Sequence, residues 1–194
     1  MNNLFDTILK FEQTLCRFTG APYVIMTDCC THAIELCLRY DNVIRVLFPA
    51  HTYISIPMTM HKLAIEYTYC DKAWTGEYQF IGTRIWDSAR KLQMGMYRPG
   101  QMQCLSFGHN KPLSIGHGGA ILLDDAQAYQ TLIRQRYDGR NLSVSPWQDQ
   151  RVFEVGYHYR PTIEDAERGL ELLATVDQEP KYYKYPDLRE VIIK

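Results

Sequence analysis

The stretch Ser106-Phe107-Gly108-His109-Asn110-Lys111-Pro112-Leu113, followed by Ile115-Gly116-His117-Gly118-Gly119-Ala120, is the most informative part of this chain. It places a lysine in a short glycine-rich loop directly after an apolar run, and Asp87 ends another apolar run 24 positions upstream. A lysine that forms an imine, a carboxylate that holds a pyridinium nitrogen and a hydroxyl near a phosphate are what pyridoxal phosphate requires of a protein. Lys111, Asp87 and Ser106 therefore indicate a site for this cofactor.

Composition limits the classes of protein that the chain can belong to. Its 194 residues, 46% hydrophobic and 22% charged, suffice for one substantial globular domain. A net charge of -1 gives no electrostatic reason to expect nucleic acid or an anionic membrane as a partner. The longest uncharged run, 46–60, contains two prolines and is too short to span a bilayer, and the first residues predict no signal peptide. We expect a cytoplasmic protein.

The six cysteines favour reduced thiols over disulfides or a metal site. They form no C-x-x-C pair, and most of them lie in apolar stretches. Cys30 lies close to His32 and could be taken as half of a metal site, but no second pair follows at zinc-finger spacing. No metal is therefore predicted.

Hydrophobic periodicity predicts alternating helices and strands. Helical patterns cover 4–18, 33–38, 54–63, 126–137 and 162–176, and strand patterns cover 23–26, 43–48, 64–69, 81–86, 103–107 and 120–123. This alternation predicts an α/β protein with three layers and a mostly parallel sheet, whose ligand lies where strands end. Residues 1–176 are predicted to form one domain. Residues 177–194 are predicted to form an extended tail, and whether it packs on anything is left open.

Several segments carry a resemblance to a known family. Besides the lysine stretch, they are 11–21, Thr31–Leu36, Phe48–Ser55, Asp87–Ala89 and Gly156-Tyr157-His158-Tyr159-Arg160. In this order, over most of 11–174, they resemble the DegT/DnrJ/EryC1/StrS sugar aminotransferases, which depend on pyridoxal phosphate and have fold type I. The lysine with its trailing G-x-G-G is the most specific match.

The resemblance implies catalytic roles for Lys111 and Asp87. Lys111 would form the Schiff base with the cofactor and later move a proton, which requires a depressed pKa of its amine. Asp87 would keep the pyridine nitrogen protonated. Tyr53 would stack on the face of the ring.

The resemblance also implies phosphate and ring contacts. The backbone at Cys30, together with Thr31 and Ser106, would bind the phosphate at a helix N-terminus. His158 falls where the family has an asparagine that reaches the phosphate of the partner subunit's cofactor. Arg90 replaces the usual His or Gln near the phenolic oxygen of the cofactor, and a guanidinium can still donate there.

The chain departs from the family in length. Only 17 residues separate Tyr69 from Asp87, and few follow the last matching helix. We expect a reduced fold type I that lacks most of the C-terminal domain. The family implies a homodimer, since its sites lie at subunit interfaces.

Two functions remain open at this point. The first is an aminotransferase that moves an amino group from glutamate or glutamine to a keto group, expected on a nucleotide-linked sugar. The second is a catalytically inactive member that acts as a binding module. A purely structural Rossmann-like protein would explain the strands but not the order of the polar residues. His109, His117 and Arg160 fit functional and ordinary structural roles equally well.

Overall fold

A computed structural model describes residues 5–180 and 182–193 of the chain. Leu4, which opens the predicted first helix, and Lys181 of the predicted tail lie outside the described residues. The helices are α1 (Asp6–Thr19), α2 (Cys30–Tyr40), α3 (Ser55–Leu63), α4 (Ala126–Gln135) and α5 (Ile163–Leu172). The strands are β1 (Tyr23–Thr27), β2 (Arg45–Pro49), β3 (Glu66–Cys70), β4 (Tyr78–Gln79), β5 (Ile85–Asp87), β6 (Met102–Ser106) and β7 (Gly119–Leu123).

The strands form a mixed sheet, which corrects the expected mostly parallel pairing. The larger sheet has the order β1-β7-β6-β5-β4, and β2 pairs with β3 in parallel beside it. In the larger sheet only β5 and β6 pair in parallel. Strand β7 runs antiparallel between β6 and β1 because it returns from β6 through a loop without a helix, and parallel neighbours need a longer crossover.

The sequence analysis did not predict strand β4. It also predicted a strand over 81–86, of which only residues 85 and 86 belong to a strand, β5. Residues 80–84 turn sharply, since the backbone and hydroxyl of Thr83 both donate to the carbonyl oxygen of Phe80. Tyr78 then pairs with Asp87 across the resulting hairpin. Only the last part of the predicted strand therefore joins the sheet.

The predicted three layers are present, because two separate cores lie on opposite faces of the sheet. One core contains α2 and α4 with Ile121 and Leu123 of β7. The other contains α1 and part of α5 with Ala120 and Leu122. The alternation of side chains along a strand places neighbouring residues of β7 on opposite faces.

Local chemistry fixes the ends of the helices. Gly20 ends α1 with a φ of 79°, a left-handed conformation that glycine adopts without strain. The side chain of Asp125 accepts bonds from the backbone of Gln127 and Ala128 at the start of α4, and Thr162 caps α5 in the same way. The helix predicted to reach residue 176 becomes a 3-10 turn at Leu173–Thr175. Among the helices of the described ranges, none is both long and apolar enough to cross a membrane.

The tail packs on the domain, which answers the question that the sequence left open. Leu188 is buried, and its N–H donates to the carbonyl oxygen of Ala50 over 3.0 Å. His51 lies 3.2 Å from the carbonyl oxygen of Tyr185. These contacts hold the segment 182–188, which we call the tail strap, against the loop that follows β2.

Candidate active site

A cavity of about 420 Å³ lies where β1, β5 and β6 end. Its walls include seven of the residues that the sequence predicted for the cofactor site: Cys30, Thr31, Tyr53, Asp87, Arg90, Ser106 and Lys111. They come from segments up to 81 positions apart in the chain, since the first is Cys30 and the last is Lys111. The fold thus brings together residues whose order alone had suggested a common site.

Asp87 is a buried carboxylate at the end of β5, with 5% of its surface exposed. Burial raises its pKa, and the N–H of Ala89 at 2.9 Å, the charge of Lys111 and a hydrogen bond from Tyr78 act in the opposite direction. Among the described residues, no lysine, arginine or histidine forms an ion pair with it within 4.0 Å. The charges of Lys111 and Arg90 thus act on this carboxylate, but neither side chain forms an ion pair with it within 4.0 Å.

Lys111 is largely buried in the loop between β6 and β7. Burial lowers the pKa of its amine, while the Cys30 thiol and Asp87 raise it and Arg90 lowers it further. The preceding residue, Asn110, has a φ of 62°, so the loop turns in the left-handed region just before the lysine. A lysine with a lowered pKa has a larger neutral fraction, and the neutral amine is the nucleophile.

Hydroxyl groups also line the cavity. The hydroxyl of Thr31, in the first turn of α2, lies 2.9 Å from that of Ser55, and Ser106 at the end of β6 lines the same cavity. A Cβ atom at Gly119 would lie 2.4 Å from the backbone nitrogen of Cys30. Only glycine lets β7 come this close to the turn. The N–H groups in the first turn of a helix and the helix dipole favour an anion, so the start of α2 is suited to bind one.

Arg90 lies beneath the tail strap. It is 6% exposed, its Nε donates to the hydroxyl of Tyr185 over 3.3 Å, and its Nη1 donates to the carbonyl oxygen of Asn110 over 3.3 Å. The guanidinium carbon lies 4.4 Å from the ring centroid of Tyr183. Within the described residues, no carboxylate pairs with it.

Aromatic rings form the mouth of the cavity. Trp74 stacks on Tyr185 with centroids 5.8 Å apart and planes 20° apart. Tyr53, predicted to stack on the cofactor, lines the cavity but is 56% exposed. It therefore stands at the rim, where a bound ring would cover it.

His158 does not line the cavity of its own chain. Its Nδ1 lies 3.0 Å from a carboxylate oxygen of Asp138, and its backbone forms a bridge with Tyr137. The family role concerns the cofactor of a partner subunit, so its assignment stays a prediction. His117 similarly lies 2.9 Å from Asp165, whereas His109 lines the cavity.

Sequence reasoning missed four site residues. Tyr78 supports Asp87 and is itself 2.8 Å from the hydroxyl of Thr52, but its short strand carries no periodic signal. Ser55 lies in a segment that matched the family without a role being assigned to it. The third and fourth, Tyr183 and Tyr185, belong to the tail strap, and the only signal for them was the density of tyrosines in that segment.

The structure separates Cys30 from His32, the pair that the sequence analysis considered as half of a metal site and set aside. Cys30 points into the core, where its thiol donates to the carbonyl oxygen of Cys104 over 3.6 Å. Its neighbour Cys29 instead lies with Asp28 and His32, and one ligand atom from each of these three falls within 4.8 Å of the others. Cys29, and not Cys30, is therefore the cysteine that lies beside His32.

The cavity fits pyridoxal phosphate by the chemistry of its walls. Among the described residues no cation contacts the buried carboxylate of Asp87 within 4.0 Å, and a protonated pyridine nitrogen would supply such a contact. The amine of Lys111 faces the same space, and the hydroxyls and N–H groups at the start of α2 suit a phosphate. The residues present thus match the three parts of the cofactor that need partners.

The fold of this chain is similar to the folds of several solved structures. The chain superposes on 3-amino-5-hydroxybenzoic acid synthase with a TM-score of 0.71 at 21% identity, covering 88% of this chain and 56% of that one. For AtS13 from Actinomadura melliaura the TM-score is 0.73 at 20% identity, covering 87% and 60%. For the sugar aminotransferase CalS13 from Micromonospora echinospora it is 0.72 at 17% identity, covering 87% and 60%.

The likeness to these structures confirms the predicted fold type I. The chain spans less than two thirds of the length of these structures. A search of curated proteins gives no match. The model of the DegT/DnrJ/EryC1/StrS aminotransferase family matches residues 2–75 and 91–181, which together make up most of the sequence. The chain therefore belongs to the DegT/DnrJ/EryC1/StrS aminotransferase family.

Proposed function

We propose that this chain is a pyridoxal-phosphate-dependent aminotransferase. One observation carries the proposal: the amine of Lys111, the buried carboxylate of Asp87 and the turn at the start of α2 line one cavity. Burying a carboxylate and an amine costs free energy, and a bound cofactor that pairs with both groups would offset this cost.

Each residue of the cavity has a separate task in this proposal. Bound pyridoxal phosphate would supply the electron sink for breaking the Cα–H bond of an amino acid. Asp87 would hold the pyridine N–H, and the backbone at Cys30 with Thr31 and Ser106 would hold the phosphate. The neutral amine of Lys111 would take the proton from Cα of the amino acid and deliver it to C4′ of the cofactor.

Two further residues orient the ring. Tyr53 covers one face from the rim of the cavity. Arg90 donates to the phenolic oxygen, which its buried position beside Asp87 supports. His158 contacts the phosphate bound in the partner subunit.

The proposed substrates follow from the family. The amino donor is glutamate or glutamine, and the acceptor is a keto group of a nucleotide-linked sugar. The printed name of CalS13, a sugar aminotransferase, supports the acceptor class.

We also propose a homodimer in the cytoplasm. Large apolar side chains stay exposed on the monomer, among them Val152 at 82% and Val155 at 78%, and a partner would cover them. All six cysteines are free thiols, which suits a reducing compartment. Sedimentation of the purified chain tests the dimer, and a monomer at micromolar concentration would contradict it.

The direct test is the absorption spectrum of the purified chain with added cofactor, before and after borohydride. We expect a visible band between about 400 and 430 nm that borohydride removes, with the added mass on Lys111. Lys111→Ala should lose the band, whereas the exposed-lysine control Lys72→Ala should keep it. A wild-type protein that stays colourless would refute the proposal and favour the alternative, a family member that acts as a binding module.

Turnover is tested separately. Incubation of the loaded wild type with glutamate alone should release 2-oxoglutarate, and Lys111→Ala should release none. If the protein binds the cofactor but does not release the keto acid, the proposed cofactor site is supported and the proposed amino transfer is refuted.

A further inference from the structure

The turn between β1 and α2 carries a second cluster of reactive side chains that the aminotransferase chemistry does not use. A carboxylate oxygen of Asp28 lies 2.8 Å from the Nδ1 atom of His32, and the second oxygen lies 2.9 Å away. The thiol of Cys29 completes the group, and one ligand atom from each residue lies within 4.8 Å of the other two. We propose that Asp28, Cys29 and His32 bind a divalent transition-metal ion of the zinc class.

The spacing of the three ligand atoms suits such an ion. Zinc bonds of roughly 2.0 to 2.3 Å in a tetrahedron place neighbouring ligand atoms roughly 3.3 to 3.8 Å apart. The observed separations, 2.8 Å between Asp28 and His32 and at most 4.8 Å for the group, lie on either side of this range. Three protein ligands leave the fourth position to water or another small ligand, an arrangement that zinc commonly adopts.

The donor set selects the kind of metal. One thiolate, one imidazole and one carboxylate are typical ligands of zinc and of cobalt in its place, and they are poor ligands for magnesium or calcium, which take oxygen atoms. The carboxylate and the thiolate together balance the two charges of the ion. Among the described residues, Asp28 has no ion-pair partner other than His32, so no lysine or arginine competes for it.

Neighbouring contacts hold the three ligands in place. The N–H of Asp28 donates to the carbonyl oxygen of Tyr159 over 3.0 Å, and the hydroxyl of Thr27 donates to the carbonyl oxygen of Cys29 over 2.9 Å. The ring of His32 stacks on that of Tyr159 with centroids 3.7 Å apart and planes 8° apart. Such support orients a ligand before the metal arrives and increases affinity.

The site is open to an ion from solution. The side chains of His32 and Asp28 are 28% and 22% exposed. Cys29 is half-buried and also lines the candidate active site. The metal would therefore lie beside the turn that we propose for the phosphate, yet its binding needs neither the cofactor nor the transfer reaction.

Cobalt is the probe that tests this inference. Protein without a polyhistidine tag is stripped with a chelator, reduced and titrated with Co²⁺ under nitrogen. We expect one equivalent to produce a thiolate-to-cobalt charge-transfer band in the near ultraviolet together with the visible bands of a tetrahedral ion. Zn²⁺ should then displace the cobalt and bleach both.

Variants identify the ligands. Cys29→Ser should abolish the charge-transfer band, and Asp28→Asn and His32→Gln should each weaken Zn²⁺ binding at least about 10- to 100-fold, the loss that follows when only a supporting group of a metal site is removed. Cys70→Ser, which changes another half-buried thiol far from this turn, should keep the band and the affinity.

Three results would overturn the proposal. The first is a wild-type protein that gives no charge-transfer band, the second is a band that survives in Cys29→Ser, and the third is a band that disappears in Cys70→Ser. If Cys29→Ser does not fold, the affinities of Asp28→Asn and His32→Gln decide, and wild-type affinity in both would refute the site. If the protein does not bind pyridoxal phosphate but gives the expected cobalt spectra, the proposed function is refuted and the metal site is supported.

Discussion

Replacing Asp87 with asparagine should change two properties of the protein in opposite directions. The carboxylate is buried, and burial raises its pKa despite the N–H of Ala89 and the charge of Lys111. Asparagine has the same shape and can still accept the Ala89 bond over 2.9 Å. The substitution therefore removes a charge with little change in packing.

With the cofactor bound, the lost charge weakens binding. A hydrogen bond to a charged group contributes about 1.5 to 3 kcal/mol. At about 1.4 kcal/mol per factor of ten, the dissociation constant of pyridoxal phosphate should rise about 10- to 150-fold in Asp87→Asn.

Without the cofactor, loss of the buried charge should not lower the free energy of unfolding at neutral pH. A carboxyl group whose pKa is raised on folding binds its proton more tightly in the native state. The native state then holds more protons than the unfolded chain above pH 3.8, and stability falls as pH rises through the raised pKa. At neutral pH the cofactor-free Asp87→Asn protein should therefore be at least as stable as the wild type, and this advantage should shrink as the pH falls towards 3.8.

Two assays measure these effects. Titration with pyridoxal phosphate followed by absorbance gives the affinity, and urea unfolding of the cofactor-free protein at several pH values from about 4 to 8 gives the stability. Asp149→Asn, at an exposed position, serves as the control and should change neither. The reasoning fails if Asp87→Asn binds the cofactor as tightly as the wild type, or if the cofactor-free variant is the less stable protein at neutral pH.

Three other substitutions or conditions test separate parts of the structure. Glu12→Gln leaves the buried Arg136 without its ion-pair partner, so urea unfolding should show a loss of about 3 to 5 kcal/mol, and a loss below 1 kcal/mol would contradict this. Tyr185→Ala removes the side-chain contacts of the tail strap with Trp74 and Arg90 and leaves its backbone contacts, so trypsin should cleave after Lys184 faster than in the wild type; an unchanged rate would contradict a role of this side chain in holding the strap. Because burial lowers the pKa of Lys111, the rate at which pyridoxal phosphate attaches to it should rise with pH and reach half its maximum below 10.5, and a midpoint at or above that value would contradict the burial argument.

The sequence predicted those parts of the site that follow strands. Asp87 and Ser106 end apolar runs, and the glycines around Lys111 mark a loop, so pattern and resemblance together selected residues that share one cavity. The three layers were predictable for the same reason, since alternating periodicities leave few other arrangements.

The remaining parts depend on contacts that no local pattern encodes. Tyr78 supports Asp87 through a strand of two residues, which is too short to show a period. The orientation of β7 depends on a loop whose path is set by tertiary packing. The tail strap reaches the cavity through the rings of Tyr183 and Tyr185, and the density of tyrosines in that segment does not indicate which surface they contact.

Strand β7 has a consequence for how the molecule comes apart. Its five residues are all buried, and they supply side chains alternately to the core with α2 and to the core with α1. Neither helical layer can separate without exposing one side of this strand, so the two layers should unfold as one cooperative unit. The amide hydrogens of β7 should then exchange with solvent only through global unfolding, and those of the peripheral β2–β3 pair should exchange much sooner.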